Sequence, residues 1–143
     1  MDIGQVLNAL ERERELLREF HDISTQQLAL LDDENLDGIG KLLDLRSDLM
    51  LELTAIETTL GTWITQLRTE RKITNAVLHE LQLINDEIVN LANEIVELDE
   101  QAHWRLDLIK QRSAEGIRSI NRSQNALSGY ATLRIQPSFK SNG

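Results

Sequence analysis

A seven-residue alternation of apolar and polar positions runs through most of the chain and predicts long amphipathic helices. Over residues 3–31 the apolar side chains recur at steps of three and four, and charges such as those of "ERERELLRE" fill the other face. We therefore expect a first helix over residues 3–31. The stretch "DDEN" at 32–35 interrupts the period, and Asn35 is the predicted N-cap of the next helix.

A second helix is predicted to follow and to continue across Gly61, because one interior glycine costs only about 1 kcal/mol. The charged stretch "RTERK" at 68–72 interrupts the apolar period again, so it is the predicted turn. Thr69 or Thr74 is then the N-cap of a third helix.

The third helix has the most regular pattern, with apolar steps of three and four that predict left-handed coiled-coil packing. Its predicted core positions are Val77, Leu81, Ile84, Ile88, Leu91, Ile95, Leu98 and Ala102. The stripe continues less regularly to Leu127, and Gly129 is expected to end the helix.

These elements predict an all-α fold, an elongated antiparallel bundle or coiled coil of three long helices. One helical domain is expected over residues 1–129, and an irregular, partly disordered tail over residues 130–143. A fourth helix would form if the third helix broke near "SAEG" at 113–116 and folded back.

Antiparallel pairing of the second and third helices about residue 71 would place Trp104 beside Gly38 and Gly40, whose missing side chains leave room for an indole. Both tryptophans are therefore predicted to fill the core. The first two helices would end near residue 107, so the rest of the third helix would project beyond them.

This projecting segment is the predicted partner-binding surface, because an exposed apolar stripe usually marks an interaction site. Its stripe consists of Leu106, Ile109, Ile117, Ile120 and Leu127. Three outcomes are open: it folds back as a fourth helix, pairs with a second copy in a homodimer, or binds another protein.

Charge is unevenly distributed along the 143 residues. Residues 1–100 contain 8 Lys and Arg against 22 Asp and Glu, whereas residues 101–143 contain 7 against 2. An acidic body argues against nucleic acid as a partner.

No apolar run reaches the roughly 18–20 residues of a membrane helix, so no stable membrane insertion is expected, and the start of the chain does not read as a signal peptide. The absence of cysteine excludes disulfides and fits a cytoplasmic location.

Candidate chemistry is sparse, and we predict that the protein is not an enzyme and has no cofactor. "EQAH" at 100–103 is one Glu-x-x-His motif, whereas a carboxylate-bridged di-iron site requires two such motifs. Ala102 holds the core position there, so Glu100 and His103 are expected to face solvent. No phosphate-binding loop and no nucleophile–base pair can be assembled.

The pattern resembles the flagellar export chaperones of the FlgN type, with the FliT type as a near neighbour. The resemblance rests on the acidic, all-helical character and on three stretches: "LLDDENLDGIGKLLDLRSDLMLELTAIE" at 30–57, "IVNLANEIVELDEQAHWRLDLIKQ" at 88–111 and "NRSQNALSGY" at 121–130. It implies a cytoplasmic chaperone that binds hook-associated proteins, prevents their premature assembly and delivers them to the flagellar type III export apparatus.

The same resemblance implies that the C-terminal region binds the client and that a tyrosine there docks on export gate or export ATPase components. The matching position is Tyr130, followed by the apolar residues Leu133 and Ile135. Tyr130 lies beyond Gly129, and therefore outside the predicted helix.

Two other functions remain open. A structural coiled-coil tether would use the same heptads for homo-oligomerisation without a client. A membrane-surface helix would use the basic, amphipathic part of the chain at 105–127 against anionic lipid.

Overall fold

Three long α-helices and no β-strand make up residues 2–110 of the computed structural model, which describes these residues and the isolated positions 125 and 129. The helices are α1 (Ile3–Asp32), α2 (Leu36–Thr69) and α3 (Asn75–Ile109). They pack against each other, so the predicted all-α bundle is confirmed. The predicted continuity of α2 across Gly61 is also confirmed.

Side-chain caps fix where α2 and α3 begin, because the first N–H groups of a helix have no partner within it. The Asn35 Oδ1 accepts a hydrogen bond from the N–H of Gly38 at 3.3 Å. The Thr74 Oγ1 accepts one from the N–H of Val77 at 3.2 Å. Both predicted caps are confirmed, and Thr74 rather than Thr69 serves α3.

Left-handed residues end α1 and α2, and neither of them is glycine. Glu34 has a φ of 54°, its N–H bonds the carbonyl of Leu31 at 3.1 Å, and the next N–H, of Asn35, bonds that of Leu30 at 2.8 Å. This pair of bonds is the Schellman motif. Arg71 occupies the same place after α2, with the same φ of 54°. The two turns are short, so the chain runs up, down and up.

Helix α1 lies between the other two helices. It packs along both, whereas no Cα atom of α2 lies within 8 Å of one in α3. Four side-chain contacts tie α1 to α3. Three are ion pairs, Arg14 and Arg18 with Glu87 and Asp32 with Arg105, and the fourth joins the His21 imidazole to Glu94 at 3.2 Å. A separation of 73 positions recurs in Arg14–Glu87, His21–Glu94 and Asp32–Arg105, and a constant separation is the signature of parallel helices in constant register. The closest neighbour of α3 is therefore the parallel α1 and not the antiparallel α2.

Buried positions follow a strict heptad in both α1 and α3. In α1 they are Val6, Leu10, Glu13, Leu17, Phe20, Ser24, Gln27 and Leu31, with Leu16 in addition. In α3 they are Leu81, Ile84, Asn85, Ile88, Ala92, Ile95, Asp99, Ala102, Leu106 and Ile109. The predicted stripe of α3 is correct in period but wrong in part of its membership. Leu91 and Leu98 are only half-buried, and polar Asn85 and Asp99 occupy core positions.

Apolar side chains form two clusters. The larger cluster fills the part of the bundle around the start of α1 and includes Leu10, Phe20, Leu60 and Ile88. The smaller cluster lies at the opposite end and consists of Leu31, Ile39, Ala102, Leu106 and Ile109. The end that carries the smaller cluster is the one from which the chain continues beyond α3.

The two tryptophans have different environments. Trp63 is half-buried and packs against the larger cluster. Trp104 is 71% exposed, so its predicted position in the core is wrong. The space above Gly40 is open, and the nearest side chain to Gly38 is that of Leu30, at 3.0 Å from where a Cβ would lie. The register is close to that predicted, but Trp104 lies on the opposite side of α3 from the core positions Ala102 and Leu106.

Candidate docking groove and the polar layer beside it

Two of the predicted partner-binding residues are buried inside the bundle. Leu106 is 1% exposed and Ile109 is 6% exposed, and both pack with Leu31 and Ile39. We expected α3 to project beyond its partners from about residue 107. This is wrong for residues 107–109, because Ile109 is still packed inside the bundle. The parallel register explains the difference, because the end of α1 and the first turn of α2 still cover this part of α3.

The other predicted positions lie outside the described residues. They are Ile117, Ile120, Leu127, Tyr130, Leu133 and Ile135, together with the expected break at 113–116 and the tail at 130–143.

A groove of about 630 Å³ opens between the end of α1 and the last turns of α3. It is lined by Leu31, Asp32, Glu34, Glu97, Glu100, Gln101, Trp104, Arg105, Leu108 and Ile109. Trp104 and Leu108 are 71% and 59% exposed, and they are four residues apart on one face of α3. The groove therefore presents two large apolar side chains to solvent beside the buried Leu31 and Ile109.

Acidic side chains dominate the polar part of the groove. Four carboxylates line it, against the single guanidinium of Arg105. Arg105 forms an ion pair with Asp32, the last residue of α1. Glu34 lies in the turn after α1, where the left-handed residue reverses the chain. The groove as a whole is apolar with an acidic rim.

The sequence contained a signal for this groove. Trp104 and Leu108 are large apolar residues that do not fall on the heptad positions 102, 106 and 109. Such off-stripe residues are expected at the surface of a helix, where they cover a neighbour or bind a partner. The prediction of Trp104 as a core residue rests only on its register opposite α2, which does not determine the face of α3 on which the indole lies.

A buried polar layer joins the three helices next to the smaller apolar cluster. Arg46 of α2 is 1% exposed and donates to both carboxylate oxygens of Asp99 in α3, at 3.0 and 2.7 Å. Its Nη1 also donates to Gln27 of α1. The guanidinium lies 4.8 Å from the centre of the Phe20 ring, within the range of a cation–π contact.

Burial dominates the electrostatics of this layer. It raises the pKa of Asp99 above its ordinary value, because the charged carboxylate loses its hydration, while the hydrogen bonds from Arg46 act in the opposite direction. The Nε of Arg46 and the Nε2 of Gln27 are buried and have no hydrogen-bond partner. The two hydrogen bonds between Arg46 and Asp99 require one specific geometry, and the burial of both charged groups costs the free energy of their hydration.

The described residues contain neither a group of possible metal ligands nor a membrane-spanning helix. Within 2–110 no group of three or more His, Cys, Asp or Glu side chains is placed to hold a metal ion. Glu100 and His103 are both exposed, and His103 lies 3.8 Å from Asp107. None of the three described helices is long and apolar enough to cross a membrane.

Comparisons with known proteins give no match, whether with models of protein families, with curated proteins or with solved structures.

Proposed function

We propose that this protein is a substrate-specific export chaperone of the FlgN type, which binds hook-associated proteins and delivers them to the flagellar type III export apparatus. The observation that carries the proposal is the exposed apolar pair Trp104 and Leu108, which lines a groove at one end of an acidic bundle. The resemblance of the sequence to that family adds the class of client.

The mode of binding would be a client helix laid in the groove. An amphipathic helix buries its apolar face against such a surface, and its polar face remains in water. A client segment that is disordered before assembly folds as it binds, so part of the interaction free energy is spent on ordering. Affinity then stays moderate, which allows release at the export apparatus.

The predicted partner-binding residues take two roles in this proposal. Leu106 and Ile109 hold the end of α3 against Leu31 and so support the groove from inside. Ile117, Ile120 and Leu127 would extend the client surface, and Tyr130 with the two apolar residues after it would dock on the export apparatus. The chaperone itself would perform no chemistry and act in the cytoplasm.

Capture from a lysate of flagellated cells tests the proposal, with bound proteins identified by mass spectrometry. The tagged full chain is expected to retain a hook-associated protein, and Trp104→Ala and Leu108→Ser should each weaken that capture. Leu83→Ser is the matched control, because Leu83 is a similarly exposed leucine of α3 (53%) that does not line the groove. Failure of the unaltered chain to retain any export component would contradict the proposal.

A structural tether is the second candidate, because Leu45 and Leu51 of α2 are 50% and 71% exposed and do not line the groove. Such residues favour self-association. Sedimentation of the purified chain distinguishes the two functions: a tether would be a stable oligomer without client, and a Leu51→Ser variant would dissociate it.

A further inference from the structure

We propose that the groove at Trp104 and Leu108 selects a basic amphipathic helix, that is, a client segment with apolar residues three or four apart and lysine or arginine beside them. This inference rests on the proposed function and deepens it, because it defines the chemistry of the client segment that the groove accepts.

The apolar part of the groove has the spacing of a helix–helix contact. Trp104 and Leu108 are separated by one helical turn, a rise of about 6 Å along α3. An incoming helix with apolar side chains at i and i+4 presents a ridge of the same spacing, which fits between them. The buried Leu31 and Ile109 close the groove below this ridge.

The charged part of the groove selects the flanking residues of the ligand. Glu97 and Glu100 lie one to two turns before Trp104 on α3, and Asp32 and Glu34 line the α1 side. A lysine or arginine on the incoming helix would meet carboxylates on either side. Its cationic group could also lie over the exposed indole of Trp104, which attracts cations through its ring face. An acidic helix would be repelled by the same rim.

Charge favours a separate basic client over a second copy of this chain. Residues 111–143, with 5 basic and 1 acidic residue, share the charge of such a client, and the cross-linking experiment below distinguishes the two. A second copy would bring a body with 22 acidic and 8 basic residues over 1–100 against an acidic rim.

Two synthetic peptides test the selectivity on the full-length protein. Both have about 18 residues, roughly five helical turns, with leucines at the same positions, and either lysine or glutamate at the others. Fluorescence anisotropy of the labelled peptides is expected to show at least about tenfold tighter binding of the leucine–lysine peptide, a difference that shrinks as salt is raised.

Paired variants assign the binding to the groove. Leu108→Ser and the double variant Glu97→Gln/Glu100→Gln should each weaken binding of the leucine–lysine peptide by about fivefold or more, which corresponds to about 1 kcal/mol or more. The matched controls are Leu83→Ser and Glu80→Gln/Asp86→Asn, which change exposed residues of α3 that do not line the groove. Equal binding of the two peptides, or equal loss in variants and controls, would overturn the inference.

Cross-linking identifies the occupant directly, since the chain has no cysteine of its own. A benzophenone attached to Leu108→Cys is expected to cross-link to the added leucine–lysine peptide. Cross-links that remain confined to residues 111–143 or to a second copy when the peptide is present would overturn the assignment. If the unaltered chain captures a hook-associated protein but does not bind the leucine–lysine peptide, this inference fails and the proposed function stands.

Discussion

Arg46 of α2 holds Asp99 of α3 by two hydrogen bonds of 3.0 and 2.7 Å, across the pair of helices whose Cα atoms nowhere approach within 8 Å. Only long side chains can span such a gap, and the guanidinium fork matches the two carboxylate oxygens in geometry. Since Gln27 of α1 joins the same guanidinium, one residue from each helix meets in this layer. The layer therefore fixes the register of all three helices.

Asp99→Ala is expected to lower the free energy of unfolding by about 3–5 kcal/mol, because it leaves the guanidinium of Arg46 buried without its counter-ion. Urea denaturation followed by circular dichroism measures the loss. The double variant Arg46→Met/Asp99→Leu should recover most of the stability, since both charges are then removed from the core. A double variant as unstable as Asp99→Ala would show that the layer contributes stability beyond cancelling its own desolvation.

The stability of the protein is expected to depend on the ionisation of Asp99. Its pKa is raised by burial, so the folded state binds this proton more tightly than the unfolded state does. The contribution of Asp99 is therefore fully present below the ordinary value of 3.8 and is lost as pH rises through the raised value. The difference in unfolding free energy between the natural chain and Asp99→Asn, measured by urea titration at several pH values, should fall across that window.

A difference that rose with pH instead would mean that the hydrogen bonds from Arg46 outweigh burial. Glu97→Gln provides the control, because Glu97 is exposed and lies two residues from Asp99 on another face of α3.

The end of α3 offers a direct test of which face is packed. Leu106→Ala is expected to cost about 2–5 kcal/mol, because Leu106 is buried between Leu31 and Ile39. Leu108→Ala, two residues further on and largely exposed, should change the unfolding free energy by no more than about 0.5 kcal/mol. Chemical denaturation of both variants decides it, and similar costs at both positions would contradict the described packing.

Arg71→Gly is expected to stabilise the protein by up to about 1 kcal/mol, because a residue with a side chain is held there at a φ of 54°. Lys72→Gly, next to it, is the control: its φ is not in the left-handed region, so glycine there only increases the freedom of the unfolded chain. Thermal unfolding should give a higher midpoint for Arg71→Gly and a lower one for Lys72→Gly. The reverse order would contradict the Schellman geometry of this turn.

Local features of the sequence predicted the helices well. Apolar period, a capping asparagine and a capping threonine are short-range signals. The structure places α1, α2 and the start of α3 within a few residues of their predicted positions. The polar members of the core were not predicted. Asp99 of α3 and Gln27 of α1 can be buried because Arg46 of α2 donates hydrogen bonds to both. The apolar pattern of a single helix does not indicate which polar side chains of other helices it will meet.

The prediction of the docking surface failed in part for a related reason. The prediction that Leu106 and Ile109 are exposed rests on the length of α3 that an antiparallel α2 can cover. The parallel α1 covers α3 as well, and it does so as far as Ile109. The prediction that Trp104 is buried fails because the absence of side chains at Gly38 and Gly40 does not by itself bring the indole to that side of α3. Which face of a helix meets which neighbour is a property of the whole bundle.

The central place of α1 has a consequence for biosynthesis. Arg14 finds its partner Glu87 only 73 residues later in the chain. At about 5–20 residues per second, the part of α1 around Arg14 would leave the ribosome roughly 4–15 s before the matching part of α3. During that interval the nascent chain exposes the whole α3-facing flank of α1. Arg46 likewise lacks its partner Asp99 until α3 has been synthesised. A protein proposed to shelter unassembled subunits would thus pass through a stage in which its own apolar surface is unprotected.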